Sequence, residues 1–344
     1  MIDNFRRLII SIPASKQKYG QLLIAAAEKT STPIHYVVSD IDAIQNKLAQ
    51  KSGSLVILDK PEKGWIRKAD HGKLTIRPNE YYIDSIIGCQ STCSYCYLQA
   101  LDVGRLPVRV HVNIHSLLED LRSTIDKDKE LKIFATGELA DSLSEINLIP
   151  ISIDLINFFS MERKATLELR TKYSKIEPIL ELEHNGNTTI SYSIIPSIWA
   201  EHYEHNTSPV MERLQAARLC QLANYPVEIN FEPFLIQNGW ERVYANLIAE
   251  IGNFLDWEKI QLVKVGSIRW SKQLEEIRGF QRDYKHLFEE KESIEFRNAK
   301  YNYTINKSER LQAYYQLREM LLKANPQIDI WWSMEDPQLV SSLH

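Results

Sequence analysis

The feature that most constrains this chain is a regular alternation of short β-branched apolar runs with longer amphipathic stretches. Runs with strand character are SLVILD (54–59), YYIDSII (81–87), LKIFATG (131–137), ATLELRTK (165–172), TTISYSI (188–194), PVEINFEPFL (226–235) and KIQLVKVGSI (259–268). Between them lie VNIHSLLEDLRSTI, ISIDLINFFSM, SPVMERLQAARLCQLA and GWERVYANLIAEIGNFL, whose apolar residues recur at helical spacing. Parallel neighbours in a sheet need a long crossover, and a helix is the usual one. The alternation therefore predicts an α/β fold with a parallel sheet and helical crossovers, either barrel-like or doubly wound. In both architectures functional groups gather at the carboxyl ends of the strands.

Around that core, residues 1–75 are expected to form an N-terminal α/β cap, 76–290 the core barrel, and 291–344 a C-terminal hairpin and helix extension that includes NKSERLQAYYQLREMLLKA. With 44% hydrophobic and 25% charged residues, the composition is that of an ordinary globular chain. No apolar run reaches the roughly 18 residues of a membrane span. The N-terminal MIDNFRRLIISIPAS has an acidic residue at position 3 and too short an apolar run for a signal peptide. Four cysteines in 344 residues do not make a secreted disulfide framework. A reducing, cytoplasmic location without membrane association is the expectation. The formal net charge of −4 carries no excess of Lys and Arg for a general electrostatic grip on nucleic acid, though a local basic groove stays open.

Three of the four cysteines lie in GCQSTCSYCYLQA (88–100), spaced C-x3-C-x2-C as Cys89, Cys93 and Cys96. A structural zinc site wants four closed ligands, so a histidine would have to complete it; the nearest are His71, His111 and His115. Iron–sulfur clusters also normally take four thiolates. Three thiolates on a [4Fe–4S] cube leave one iron open to a small molecule, as catalytic metal sites do. Cys220, inside the Ala/Leu-rich ERLQAARLCQLA, reads as a core residue. Other polar groups mark further strand ends: Thr136-Gly137-Glu138 after LKIFA, Lys172 ending ATLELRTK, and Ser193 near the end of TTISYSI.

The cysteine spacing, with the aromatic Tyr95 just before the third cysteine, resembles the radical S-adenosylmethionine (SAM) superfamily. Further stretches resemble the spore photoproduct lyases in the same order: VRVHVNI, IDLINFF, LRTKYSKIEPIL, HNGNTTISYSI, TSPVMERLQAARLCQLANYP, EPFLIQNGWERVYANL, AKYNYTI and NPQIDIWW. The resemblance implies a partial (β/α)6 TIM-type barrel with the cap and extension given above. It implies a [4Fe–4S] cluster on Cys89, Cys93 and Cys96, and reductive cleavage of SAM to a 5′-deoxyadenosyl radical that abstracts hydrogen from substrate. In that family the substrate is a thymine photoproduct in DNA. Thr136, Gly137 and Glu138 resemble the Gly-Gly-Glu element that contacts the SAM amino group, with Thr for the first Gly. Lys172 and Ser193 match positions used for SAM, and Tyr95 belongs to the same cofactor set. Tyr95 and Tyr97 match two tyrosines of the radical relay. Arg213, Lys300, Tyr301 and Tyr303 match the substrate-binding region. The implied partners are SAM, DNA and an electron donor such as flavodoxin or ferredoxin. One departure stands out: Glu138 occupies the position of the family's hydrogen-donating cysteine. A radical SAM enzyme for an unrelated substrate, and a non-catalytic iron–sulfur protein, remain as alternatives.

Overall fold

A computed structural model describes residues 5–51, 53–101, 107–289, 291–296 and 299–343. Its strands, numbered in chain order, fall into three sheets. The first combines β1 (Arg7–Ser11), β2 (Ile34–Val37) and β3 (Ser54–Leu58) with β6 (Ile86–Ile87) and β7 (Val108–His111). The second holds β4 (Ile66–Lys68), β5 (Glu80–Ile83), β8 (Lys132–Thr136), β9 (Ala165–Thr171), β10 (Thr188–Ser193), β11 (Val227–Phe234), β12 (Ile260–Ser267) and β16 (Asp329–Trp332). The third is an antiparallel set of β13 (Arg269–Ser271), β14 (Lys291–Phe296) and β15 (Ala299–Ile305).

The second sheet is the core. Its order is β16-β12-β11-β10-β9-β8-β5-β4, and every pair from β5 to β16 is parallel. The amphipathic segments between strands form the helices Ile151–Ser160, Val210–Leu222 and Trp240–Phe254. Of the seven parallel strands, β5 and β8 through β12 give the expected partial (β/α)6 TIM-type barrel, with β4 adding antiparallel at one edge and β16 parallel at the other. Its edge strands β4 and β16 do not pair with each other. Thr75 bridges that opening: its hydroxyl donates to the Trp332 carbonyl at 2.6 Å, and its amide to the Glu335 carbonyl at 2.8 Å.

Strand register explains why these sequences alternate. Leu167, Leu169, Ile190, Tyr192, Val227, Ile229, Val263 and Val265 share one face and are fully buried with the helices. The opposite face carries Glu168, Arg170, Ser191, Glu228, Asn230 and Lys264 in matched register. This polar face is no solvated surface. Lys264 reaches Glu228 at 2.6 Å and also pairs with Glu168; Arg170 reaches Glu168 at 2.8 Å; Arg77 reaches Glu80 at 3.2 Å. Three cations thus balance three carboxylates inside the barrel, the arrangement that lets buried charge survive desolvation.

Each predicted run contains a strand, and YYIDSII contains two. The chain pairs with β8 through Glu80–Tyr82, then crosses to the first sheet, where Ile86 and Ile87 pair antiparallel to β7. The cysteine segment therefore leaves from a short strand of the neighbouring sheet, which begins after a two-residue link, Asp84 and Ser85, from the end of the first barrel strand.

Candidate active site

The cysteine loop starts at Gly88, where φ is 94° and an added Cβ would lie 2.6 Å from the Pro107 carbonyl oxygen; only glycine fits. From there backbone bonds tie the loop down. The Gly88 amide donates to the Leu139 carbonyl at 2.8 Å, that of Thr92 to His205 at 3.0 Å, and that of Ser94 to Tyr203 at 2.8 Å. The Gln99 side-chain amide donates to the Cys93 carbonyl. The sequence Gln-Ser-Thr-Cys-Ser is polar enough to be a loop, and these bonds make it a fixed one.

All four cysteines are free thiols; Cys93 is buried, and Cys89 and Cys96 are half-buried. Burial pushes the Cys89 thiol up to about 12, with the Asp141 charge adding to it, and burial likewise raises Cys93 and Cys96. Bare thiols here hold their protons; a bound metal's positive charge is what would favour thiolates. Among the described residues no three His, Cys, Asp or Glu side chains are arranged around a single metal ion. A cube with one thiolate per iron does not require that convergence, so three uncrosslinked soft donors on one pinned loop fit a cluster. The nearest histidines are engaged elsewhere. His71 Nε2 lies 3.1 Å from the Tyr82 hydroxyl, His111 packs edge-on to Trp65, and His115 pairs with Glu119 at 3.1 Å.

Two strand ends, of β8 and β9, meet this loop, and β10 ends beside them. After β8 the chain turns at Gly137, where φ is 89° and a Cβ would sit 2.7 Å from the Arg170 carbonyl oxygen. Glu138 follows, its carboxylate 3.6 Å from Arg170 Nη1. The Tyr97 hydroxyl donates to the Glu138 carbonyl at 2.9 Å, which closes the cysteine loop over this turn. Thr136 points to the other face: it pairs with Leu169, and its hydroxyl bonds Ser142 at 2.6 Å. Lys172 stands one residue beyond β9. Its amide donates to Asp141 at 2.7 Å, and Asp141 also accepts from Thr171 at 2.8 Å and from the Leu143 amide at 2.9 Å. Asp141 is thus the clip that fixes the β8 loop to the end of β9. Ser193 ends β10, in register with Asn230.

The Lys172 ammonium lies 5.8 Å from the centre of the Tyr95 ring and 3.8 Å from the Glu204 carboxylate. Burial pulls this lysine down, but Glu204 and then Cys93 more than offset that, and its pKa is raised. Tyr95 donates to the same carboxylate. Arg213, buried in the Val210–Leu222 helix, reaches Glu204 at 2.7 Å, the Ser193 carbonyl at 2.9 Å and the Ser208 carbonyl at 2.7 Å. Tyr303 lies in β15 under the Lys291 ammonium, 4.0 Å from its ring centre. The side chains of Lys300 and Tyr301 lie outside the described residues. Cys220 is fully buried against Tyr192, 3.9 Å from its hydroxyl, on the apolar face of β10.

The structure thus gathers Cys89, Cys93, Cys96, Tyr95, Tyr97, Gly137, Glu138 and Lys172 at one end of the barrel. It leaves Tyr303 in a separate sheet and turns the Thr136 side chain away. Sequence reasoning missed Glu204, Arg170 and Asp141.

Comparison with known proteins follows the same lines. The sequence model for spore photoproduct lyase matches residues 30–331. A spore photoproduct lyase of Geobacillus sp. (strain Y412MC61) is 30% identical over 178 residues, 52% of each chain. One of Clostridium acetobutylicum is 24% identical over 269 residues, covering 76% of this chain and 78% of that one. The Geobacillus match thus spans about half the length of that relative. Among solved structures, a spore photoproduct lyase mutant with bound AdoMet and dinucleoside spore photoproduct superposes with a TM-score of 0.80 at 20% identity, covering 95% of this chain and 98% of that one. A second, complexed with the dinucleoside spore photoproduct, gives 0.82 at 21% identity, covering 96% and 99%. These likenesses show a common fold. No helix among the described residues is long and apolar enough to cross a membrane.

Proposed function

This chain belongs to the spore photoproduct lyase family, and on that premise we propose that it is a radical SAM enzyme with a [4Fe–4S] cluster on Cys89, Cys93 and Cys96. The observation that carries the reading is the meeting of three free thiols with Lys172 and Glu138 at the carboxyl end of one barrel. When bound, the cluster and SAM supply the one-electron chemistry that yields a 5′-deoxyadenosyl radical. The protein's own residues bind and orient. The Lys172 ammonium holds the SAM carboxylate, and the Glu138 carboxylate, steadied by Arg170, accepts from the amino group. The Ser193 hydroxyl bonds the ribose or carboxylate. Half-buried Tyr95, packed against the core, helps close the pocket against water and keep the reacting groups in near-contact geometry.

A thymine photoproduct in DNA is the substrate this reading favours, because a relative of the same fold is known with a dinucleoside spore photoproduct. Tyr303 with Lys300 and Tyr301 then belongs to the DNA-facing hairpin, while Arg213 acts from behind by holding the Ser193 carbonyl. An electron donor of the flavodoxin or ferredoxin type completes the cycle, in a reducing cytoplasm that keeps the thiols free. A second reading, an unrelated substrate, is favoured by one residue: Glu138 stands where the family's donor thiol would be. Anaerobic reconstitution followed by assay of 5′-deoxyadenosine with and without ultraviolet-irradiated DNA separates the two. Release that rises with irradiated DNA supports repair; release indifferent to it supports the second reading. A reconstituted protein that never cleaves SAM overturns both.

A further inference from the structure

Glu204 belongs to no motif, yet it is the carboxylate around which the site is arranged. It caps the Ser197–Tyr203 helix, its amide donating to the Ala200 carbonyl at 2.8 Å, and its side chain is 0% exposed. Three groups meet it there: Arg213 at 2.7 Å, Lys172 at 3.8 Å and the Tyr95 hydroxyl. The carbonyls on either side, of Tyr203 and His205, take the amides of Ser94 and Thr92, which flank Cys93. One residue therefore links the cysteine loop, the end of β9 and the Val210–Leu222 helix.

The charge count has a consequence. Two cations, buried Arg213 and partly exposed Lys172, face one buried carboxylate, so the cluster of side chains is one positive charge in excess, and Lys172 holds the longer and weaker of the two ion pairs. An anion arriving at Lys172 meets an ammonium already shared with a resident carboxylate, and repulsion from that carboxylate lowers its affinity. We infer that Glu204 is a positioning residue that sets Lys172 and Tyr95 against the cysteine loop while holding down the affinity of Lys172 for an incoming carboxylate. The inference rests on the reading that the SAM carboxylate is that anion.

Its signature is a gain of binding on removing a buried charge, which a merely structural role would not produce. SAM affinity is measured by calorimetry on anaerobically reconstituted protein, with iron content and circular dichroism confirming the fold. Glu204→Gln should bind SAM about tenfold more tightly, the size of one charge-assisted interaction. Glu204→Asp, which keeps the charge, should stay near wild type, and Glu204→Gln combined with Lys172→Met should bind no better than Lys172→Met alone. Unchanged or weaker binding by folded Glu204→Gln overturns the inference. A thermal-unfolding cycle between Glu204→Gln, which removes the charge from the acceptor, and Tyr95→Phe needs no SAM: less-than-additive losses support the positioning role and additive losses contradict it. If wild type binds no SAM, the cofactor reading fails, while this cycle still judges Glu204.

Discussion

Arg213 and Glu204 meet at 2.7 Å with both side chains sealed from solvent. Such a pair is costly to break from one side, because the remaining charge stays buried without a partner. Arg213→Met should therefore destabilise the protein by about 3–5 kcal/mol, read as a lowered denaturation midpoint. Loss of only a few tenths of a kcal/mol, the scale of a surface pair, would show that the contact is not maintained in solution.

Acid should weaken the fold in two windows. Burial pulls the His111 imidazole from 6.5 down to about 4, against the opposing bond to Ser85. Its folded value is depressed, so the unfolded chain takes the proton first, and the stability it contributes is complete above pH 6.5 and is lost as pH falls toward 4. Burial pushes Glu168 up, but Arg170, Lys264 and Arg77 overcome it and hold it well below 4.5. Its contribution is present above pH 4.5 and is lost as pH falls through that depressed value. Thermal midpoints measured against pH should show both declines, and His111→Phe should remove only the upper one. A midpoint unchanged between pH 6.5 and 4 would contradict the assignment.

Much of this was legible in the sequence, for reasons that differ by residue. Leu167, Leu169, Val263 and Val265 recur at period two, which marks strands whichever layer covers them. The cysteine loop declared itself by spacing alone. The split of YYIDSII was hidden because both halves are apolar and only the two residues Asp84 and Ser85 separate Ile83 on one sheet from Ile86 on the next. β1 and β2 passed as part of an undifferentiated cap because each is only four or five residues long. Glu204 was invisible for another reason: within AEHYEHN an acidic residue reads as solvated helix end, and its burial comes from Arg213 and Tyr95, distant in sequence. The charged inner barrel face was likewise indistinguishable from a solvent-facing alternation.

Charge removal at the strand ends should weaken SAM binding while the cluster stays intact. Lys172→Met and Glu138→Gln each delete one charge-assisted bond, so each should cost about 1.5–3 kcal/mol, or about tenfold to a hundredfold in the calorimetric Kd. Equal affinity in both variants would move the cofactor pocket elsewhere.

On the proposed reading Glu138, a poor hydrogen-atom donor, takes the place of the donor thiol, and Cys220 is buried on the far, apolar side of β10. Given the thymine dimer, the protein should release 5′-deoxyadenosine yet form little thymine and some adduct, because hydrogen transfer needs a donor thiol within about 3–3.5 Å of the radical and this reading leaves none to spare. Efficient repair with multiple turnovers would contradict this. It would direct attention to Tyr97, whose hydroxyl already touches the Glu138 carbonyl at 2.9 Å, and to Tyr95, with Phe at each as the check.

The central question is what the loop of Cys89, Cys93 and Cys96 holds. Iron and sulfide should be quantified after anaerobic reconstitution of wild type and of the four single Cys→Ala variants, alongside the oxygen-sensitive absorbance of thiolate-ligated iron. About four irons and four sulfides per chain are expected, lost on replacing Cys89, Cys93 or Cys96 and kept in Cys220→Ala. A stoichiometric zinc with no iron uptake, or a cluster indifferent to those three cysteines, would contradict that expectation.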